Sequence, residues 1–296
     1  MRPHYRRRTR WLQATLLVAF VCALNVYAVD PLEPEMVEVP AGKFLSGSSA
    51  AEREIYIPSM HEFEQHGVDL PAFKIGKHEI SNQQYERFMQ DGGYDNADWW
   101  SDDGWAARKQ FSWTEPRRWR DSGHNGIHME QYAVAAVSYF EAEAYCRWLA
   151  QRTGKPYRLP TEMEWEKAAR GVDGRVFPWG GDWRDGACNW VGGETGQRLP
   201  TVAADGFAYT APGGVFPDGV SPYGCEDMAG NVMEWVDAFM QDDAMAIQRP
   251  MRVFKGGSFF SGFKRLLRCA WRGASWPEMG HVYWGEMGFR VAMDGE

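Results

Sequence analysis

The stretch Tyr223–Trp235, YGCEDMAGNVMEW, is the most informative part of the chain. It gathers carboxylates, two glycines and an asparagine into one short turn that ends beside a tryptophan. A turn so rich in oxygen ligands and glycine predicts an ordered loop that is braced by a cation. Two further glycine motifs follow it, Gly256-Gly257-Ser258 and Gly288-Phe289-Arg290.

Together with the upstream block RLPTEMEWE at 158–166, these motifs resemble the formylglycine-generating enzymes, the sulfatase-modifying factor family. That family also contains the C-terminal domain of ergothioneine synthases and the PvdO proteins of pyoverdine maturation. The similar blocks lie at residues 36–44, 77–85, 136–146 and 158–166, and they continue to Val291. The resemblance implies one domain, residues 36–294, with a loop-rich α+β fold related to the C-type lectin fold. Two main helices and small antiparallel sheets are expected.

Composition agrees with a single loop-rich domain. The chain of 296 residues holds 15 Trp, 32 Gly and 16 Pro, and large aromatic side chains can hold irregular backbone in place. No linker or repeat interrupts the chain after residue 35. A net charge of −8 argues against nucleic-acid binding, because the one Arg cluster lies at residues 6–10. The expected partner is a small molecule or a peptide.

The N-terminus has the pattern of a targeting signal. Basic residues 6–10 precede an apolar run, Leu12–Val26, and Ala28 completes a small-x-small cleavage site. We therefore expect a signal peptide of residues 1–28, cleaved after Ala28, and a periplasmic or secreted protein. The alternative is a membrane anchor formed by residues 12–28, since about 15–17 apolar residues lie near the lower limit for spanning. Membrane contact would then be limited to this segment.

Capping and periodicity predict three helices. They begin at Ser81, Ser138 and Thr161, and the last two end at about Arg152 and before Gly171. Strands are predicted at 36–44, 252–255 and 289–293, an aromatic loop at 99–105, and turns through most of 171–221.

Four cysteines remain after the predicted signal peptide: Cys146, Cys188, Cys225 and Cys269. An even number in an exported chain permits disulfides, with three possible pairings. Free buried thiols are the alternative. We prefer a Cys188–Cys225 pair, because both residues lie in the candidate cation-binding loops.

The resemblance implies two structural calcium sites, each made of carboxylate, amide and carbonyl oxygens. The first would use the side chains of Asn189 and Asp205 with the carbonyls of Trp190 and Phe207. The second would use Asp227 and Glu234 with the carbonyls of Gly230 and Val232. The second set retains every ligand-bearing position, whereas the first has an altered loop length. For the second, the alternative is a carboxylate cap over buried backbone N–H groups.

Formylglycine-generating enzymes hold copper(I) with two cysteines that follow the Gly-Gly-Ser motif, a soft metal on soft ligands. Counting from that motif gives Ser261 and Leu266 here. We therefore expect neither copper binding nor conversion of a cysteine to formylglycine. Met233 and Glu286 replace two other residues of the same cleft. The candidate catalytic residues are Ser258, Ser261 and Glu286, although Ser258 is equally consistent with a local turn role.

An enzyme without the thiol pair would need another redox centre, and histidines with carboxylates suit non-haem iron. The candidate ligands are His61, His66, His124, His128, His281 and Glu286. The redox metal itself stays undefined. The predicted function is that of an exported, PvdO-like oxidoreductase or maturation factor. The alternative is a non-catalytic ligand-binding or envelope structural module, with an aromatic cleft built from Trp99, Trp100, Trp105, Trp276 and Trp284.

Overall fold

The computed structural model describes residues 33–58, 62–121, 129–192, 205–240, 249–282 and 285–295. The predicted signal peptide lies outside these ranges, as do His61, His124, His128 and Trp284. Within them, no helix combines the length and the apolar character that crossing a membrane requires.

Short strands form three small sheets. They are β1 (Met36–Val39), β2 (Gly42–Ser46), β3 (His66–Leu70), β4 (Phe73–Gly76), β5 (Met233–Met240), β6 (Met251–Lys255), β7 (Gly273–Ser275), β8 (Met287–Gly288) and β9 (Ala292–Asp294). The sheets have the orders β1-β4-β9, β2-β3 and β7-β6-β5-β8. Strands β5 and β8 pair in parallel, whereas the remaining ladders are antiparallel.

Six α-helices lie in the described part of the chain: α1 (Ala50–Ile55), α2 (Asn82–Gln90), α3 (Asp102–Phe111), α4 (Tyr139–Thr153), α5 (Glu162–Arg170) and α6 (Met279–Val282). Capping boxes open α2 at Ser81, α4 at Ser138 and α5 at Thr161, and Gly154 ends α4 in the left-handed conformation. The prediction of an α+β fold with small antiparallel sheets is confirmed.

Three local predictions are wrong. The single strand predicted over 36–44 is divided into β1 and β2, with Pro40, which lacks an N–H donor, between them. The helix α3 begins inside the predicted aromatic loop at 99–105, because the Ser101 hydroxyl caps its first turn and two acidic residues follow. The strand predicted over 289–293 is interrupted, because Phe289, Arg290 and Val291 connect β8 to β9.

Tryptophans fill the interior. Trp100 is 4% exposed and belongs to the core around α2 and α4, while Trp99 and Trp105 pack against that core. Trp276 is 46% exposed. Three members of the predicted aromatic cleft are thus packing residues, which corrects the cleft that the sequence suggested.

The four cysteines are free and buried, so the preferred Cys188–Cys225 disulfide is wrong. The two residues lie in different hydrophobic clusters, Cys188 with Phe177 and Cys225 with Trp165. Burial raises the pKa of the Cys269 thiol to about 12, and it also raises the pKa of Cys188. These thiols are neutral packing groups.

A buried ion network joins α5 to β6 and to the loop after β2. One oxygen of Glu166 accepts hydrogen bonds from Arg170 Nη1 at 2.9 Å and from the Gly47 N–H at 2.7 Å. Its other oxygen accepts from Lys255 Nζ at 3.2 Å. Burial by itself would raise the pKa of Glu166, but the attraction of Lys255 and Arg170 outweighs burial, and the pKa is lowered.

Candidate functional site

The turn before β5 is held in an unusual backbone conformation. Asp227 and Asn231 have φ of 57° and 56°, and Gly230 has φ of 82°. A Cβ on Gly230 would lie 2.2 Å from the carbonyl oxygen of Asn189, so only glycine fits there. Left-handed backbone at a non-glycine residue costs of order 1–3 kcal/mol, and the surrounding contacts must therefore hold this turn in place.

The Asn231 side chain provides many of those contacts. Its Oδ1 accepts hydrogen bonds from Asn189 Nδ2 at 3.1 Å and from the Ala211 N–H at 2.8 Å. Its Nδ2 donates to Glu79 Oε2 at 2.5 Å, and the other oxygen of Glu79 accepts the Val232 N–H at 3.1 Å. Burial, followed by the nearby carboxylates of Asp227 and Glu234, raises the pKa of Glu79 well above its ordinary value. The turn is thereby linked to three other segments.

The structure brings the first predicted calcium set together. Asp205 accepts hydrogen bonds from the backbone N–H groups of Trp190, at 3.0 Å, and of Phe207, at 2.9 Å. Asn189 donates to the carbonyl of Tyr209 at 2.8 Å, while its buried Oδ1 has no hydrogen-bond partner. Carboxylate and amide oxygens are ligand types that calcium takes, so the donor atoms of this set suit a hard cation.

The second predicted set is divided. Glu234 is fully buried and receives Arg290 Nε at 2.7 Å, Arg290 Nη2 at 2.8 Å and Trp165 Nε1 at 3.0 Å. Its charge is neutralised by the guanidinium. Asp227 is also buried, but its Oδ2 has no hydrogen-bond partner. Asp227 therefore remains available as a ligand, whereas Glu234 is engaged by Arg290.

A histidine that the sequence did not single out completes a second group around Asp227. Ligand atoms of His78, Glu226 and Asp227 all lie within 4.8 Å of one another. Burial raises the pKa of Asp227 to about 7, with Arg290 lowering it and Glu226 raising it. Burial also lowers the pKa of His78. The sequence contains no motif that links residue 78 to residues 226 and 227. Only the acidic residues of the turn indicated a metal site here.

The Gly-Gly-Ser loop packs against the same turn. The Phe259 N–H donates to the Asn231 carbonyl at 2.8 Å. Ser258 and Ser261 are both buried, and their hydroxyls accept backbone N–H groups: Ser261 Oγ from Ser258 at 2.9 Å, and Ser258 Oγ from Phe260 at 3.2 Å. Both hydroxyls thus accept hydrogen bonds from nearby backbone N–H groups. For Ser258, this is the local turn role that the sequence also allowed.

Glu286 lies next to the start of β5, the strand that follows the acidic turn. Its carbonyl accepts the Met233 N–H at 2.9 Å, next to the parallel pairing of β8 with β5. Leu266 packs against the core. Ser261 and Leu266 occupy the two positions that hold copper thiolates in the formylglycine-generating enzymes. A buried hydroxyl and an alkyl chain do not fit copper(I).

The other candidate iron ligands are engaged separately. His281 Nδ1 lies 3.1 Å from both carboxylate oxygens of Glu141, and the imidazole packs on Trp113 with ring centroids 4.6 Å apart. His66 is exposed, and its Nδ1 lies 2.8 Å from the carbonyl oxygen of Glu64. Each imidazole thus has its own local partner.

Comparison with known proteins identifies relatives of the chain. The chain is 36% identical over 254 residues to hercynine oxygenase of Mycolicibacterium smegmatis. The match covers 81% of this chain and 54% of that relative. The chain thus spans about half the length of that relative. It is 32% identical over 254 residues to inactive C-alpha-formylglycine-generating enzyme 2 of Mus musculus, covering 77% of this chain and 75% of the relative.

Among solved structures, PvdO from Pseudomonas aeruginosa has the same fold, with a TM-score of 0.60 at 23% identity over 90% of this chain and 96% of that one. The profile of the sulfatase-modifying factor enzyme 1-like domain matches residues 26–295. With all of the described residues inside that match, the protein belongs to the sulfatase-modifying factor family, the family of the formylglycine-generating enzymes.

Proposed function

We propose that the protein is an oxidoreductase or maturation factor that acts on a small molecule or peptide outside the cytoplasm, and that it does not convert cysteine to formylglycine. The observation that carries this proposal is the buried Ser261 hydroxyl, which accepts the Ser258 N–H where the formylglycine-generating enzymes have a copper thiolate. Similarity to hercynine oxygenase supports an oxidoreductase.

The chemistry of the loop explains the exclusion of copper. A serine hydroxyl is neutral at physiological pH, and the Ser261 hydroxyl already accepts a hydrogen bond from the backbone. Leu266 offers no donor atom. Copper(I) prefers thiolates, and the described cysteines are buried with raised pKa values. Neither the loop nor the nearby core supplies the soft ligands that this reaction needs.

The test is peptide mass spectrometry. The purified protein, supplied with copper and a sulfatase-type cysteine peptide, should leave the peptide unchanged, whereas thiol-to-aldehyde conversion would remove about 18 Da. A copper-dependent loss of that mass would overturn the proposal. Ser261→Cys combined with Leu266→Cys is the matched variant: a competition assay should show Cu(I) binding by the double variant and none by the parent.

A second function, a non-catalytic module, is favoured by the 32% identity to a mouse relative that is named as inactive. Oxygen consumption separates the two functions. An oxidoreductase should consume O₂ with cysteine or a cysteine peptide after addition of Fe²⁺ or Mn²⁺, at a rate above that of the same mixture without protein. Absence of consumption with either metal and either thiol would favour the non-catalytic module.

The proposed location outside the cytoplasm is supported by the basic and apolar pattern of residues 6–26 and by Ala28. N-terminal sequencing of the protein recovered from the cell envelope should begin at Val29. An intact Met1 would remove the cleavage and leave the membrane anchor of residues 12–28.

A further inference from the structure

His78, Glu226 and Asp227 converge from two distant segments that are fastened to each other. His78 follows the end of β4, and the two acidic residues lie in the turn before β5. The Glu226 N–H donates to the Lys77 carbonyl at 2.9 Å. Arg290 donates to the carbonyls of Lys77, at 3.0 Å, and of Glu226, at 2.9 Å. The backbone that carries the three side chains is thus fixed on both sides.

One atom of each side chain is buried and lacks a hydrogen-bond partner: Nδ1 of His78, Oε2 of Glu226 and Oδ2 of Asp227. Asp227 is only 6% exposed. A buried polar atom without a partner is unfavourable, and here three of them lie within 4.8 Å of one another. Their convergence indicates a missing common partner, and a single cation would satisfy all three atoms.

The neighbouring cations leave these three atoms without a hydrogen-bond partner. Arg290 is engaged by Glu234, and Lys77 Nζ lies 3.5 Å from Glu226 Oε1, the oxygen that is not one of the three. Two glycines border the group. A Cβ on Gly213 would come within 2.6 Å of His78 Nδ1, and one on Gly214 within 2.9 Å of Glu226 Oε2. Because glycine has no Cβ, the loop leaves the space beside both ligand atoms open.

We propose that His78 Nδ1, Glu226 Oε2 and Asp227 Oδ2 bind one divalent first-row transition-metal ion, of the class of Zn²⁺, Mn²⁺ or Fe²⁺. An imidazole nitrogen distinguishes this set from calcium and magnesium sites, which are built from oxygen. Three protein ligands leave coordination positions open, as in metal sites that also bind water or substrate. His78 and Glu226 are partly exposed, at 30% and 15%, so the site opens to solvent.

This site differs from the second calcium set, with which it shares only Asp227. It does not depend on Glu234, which is paired with Arg290. Nor does it depend on the proposed oxidoreductase activity, since a metal bound here could be structural. The proposal of the metal site and the proposal of the activity can therefore be contradicted independently.

Metal binding is measured on the full purified protein after chelation, by calorimetric titration with Zn²⁺, Mn²⁺ and Ca²⁺. We expect one equivalent of Zn²⁺ or Mn²⁺ to bind and to raise the melting temperature. His78→Ala and Glu226→Gln should each weaken binding by about 100-fold or more, since even partners outside the ligand set alter metal affinity by about 10–100-fold. His66→Ala is the matched control, because His66 is exposed on a different sheet, and it should bind normally.

Co²⁺ provides a second measurement that does not depend on a variant. Bound to the parent protein, it should shift the His78 imidazole resonances strongly in paramagnetic NMR. Binding that is unchanged in His78→Ala, or a Co²⁺ complex that leaves the His78 resonances unshifted, would overturn the proposal. If Glu226→Gln does not fold, the His78 variant and the Co²⁺ spectrum decide the question.

Discussion

Arg290 forms a two-pronged ion pair with Glu234, with Nε 2.7 Å from Oε2 and Nη2 2.8 Å from Oε1, and both side chains are fully buried. The same guanidinium donates to the carbonyls of Gly76, Lys77 and Glu226. Burial by itself would lower the pKa of Arg290, but Glu234 holds it above the ordinary value. One side chain thus joins the end of β4, the acidic turn and β5.

Arg290→Lys should destabilise the fold by about 3–5 kcal/mol, because an ammonium group cannot replace the planar fork and leaves buried acceptors unpaired. Urea unfolding, followed by circular dichroism, measures the loss. The matched control is Arg249→Lys, on a pair with Glu278 in which Arg249 is 56% exposed, and its effect should be within about 0.5 kcal/mol. Equal effects of the two variants would contradict the central role of Arg290.

Gly230→Ala should destabilise more than Gly224→Ala. Both glycines have positive φ, 82° and 89°, so both variants carry backbone strain. Only at Gly230 does the new Cβ meet an atom, the Asn189 carbonyl oxygen at 2.2 Å, whereas nothing lies within 4 Å at Gly224. The difference between the two unfolding free energies isolates the close contact, and we expect it to exceed about 1 kcal/mol. Similar losses would mean that the turn moves away freely.

Ca²⁺ should raise the melting temperature through the first predicted set, with a shift that grows with its concentration. Asp205→Asn should abolish the shift, because the carboxylate supplies the charge of that set. Asp218→Asn is the control, since its side chain is 72% exposed in a nearby turn, and it should retain the shift. Differential scanning fluorimetry with calcium and with chelator provides the measurement. A calcium effect that survives Asp205→Asn would assign the ion elsewhere.

Acid should weaken the ion network of α5. Because the folded-state pKa of Glu166 is lowered, its contribution to stability is complete above the unfolded-state pKa of about 4.5. The contribution is lost as the pH falls through the lower folded-state pKa. Carbon-13 NMR of the glutamate carboxyl groups, with Glu166→Gln to assign the resonance, tests the direction. Titration of Glu166 at or above the ordinary glutamate value would contradict the network.

A brief pulse of iodoacetamide at neutral pH should leave Cys146, Cys188, Cys225 and Cys269 unmodified in the folded protein, because burial keeps the thiols neutral and inaccessible. All four should react after unfolding without reductant. Peptide mass spectrometry counts the labels. A pair that stays unlabelled until reductant is added would reveal a disulfide.

Local signals predicted α2, α4 and α5, but they missed the other described helices, α1, α3 and α6. Ser81, Ser138 and Thr161 each bring a side-chain oxygen and a carboxyl or amide group three residues later, and such a box forms without help from the rest of the chain. The roles of Asn189 and Asp205 as calcium ligands came from the resemblance, and they stay a prediction. The pairing of Glu234 with Arg290 and the convergence of His78 on Glu226 depend on tertiary packing. No periodicity in the chain encodes such contacts.

The burial of the four cysteines in three hydrophobic clusters, one of which holds both Cys225 and Cys269, has a consequence for the time before the fold is complete. Once packed, each thiol is shielded by its own hydrophobic neighbours. While the chain is still unfolded, all of them are accessible, and an oxidising compartment could join pairs that the finished fold keeps free. Rapid burial therefore acts as protection from oxidation. Refolding yield should accordingly fall when an oxidant is present from the start, and it should be unaffected when the oxidant is added after folding.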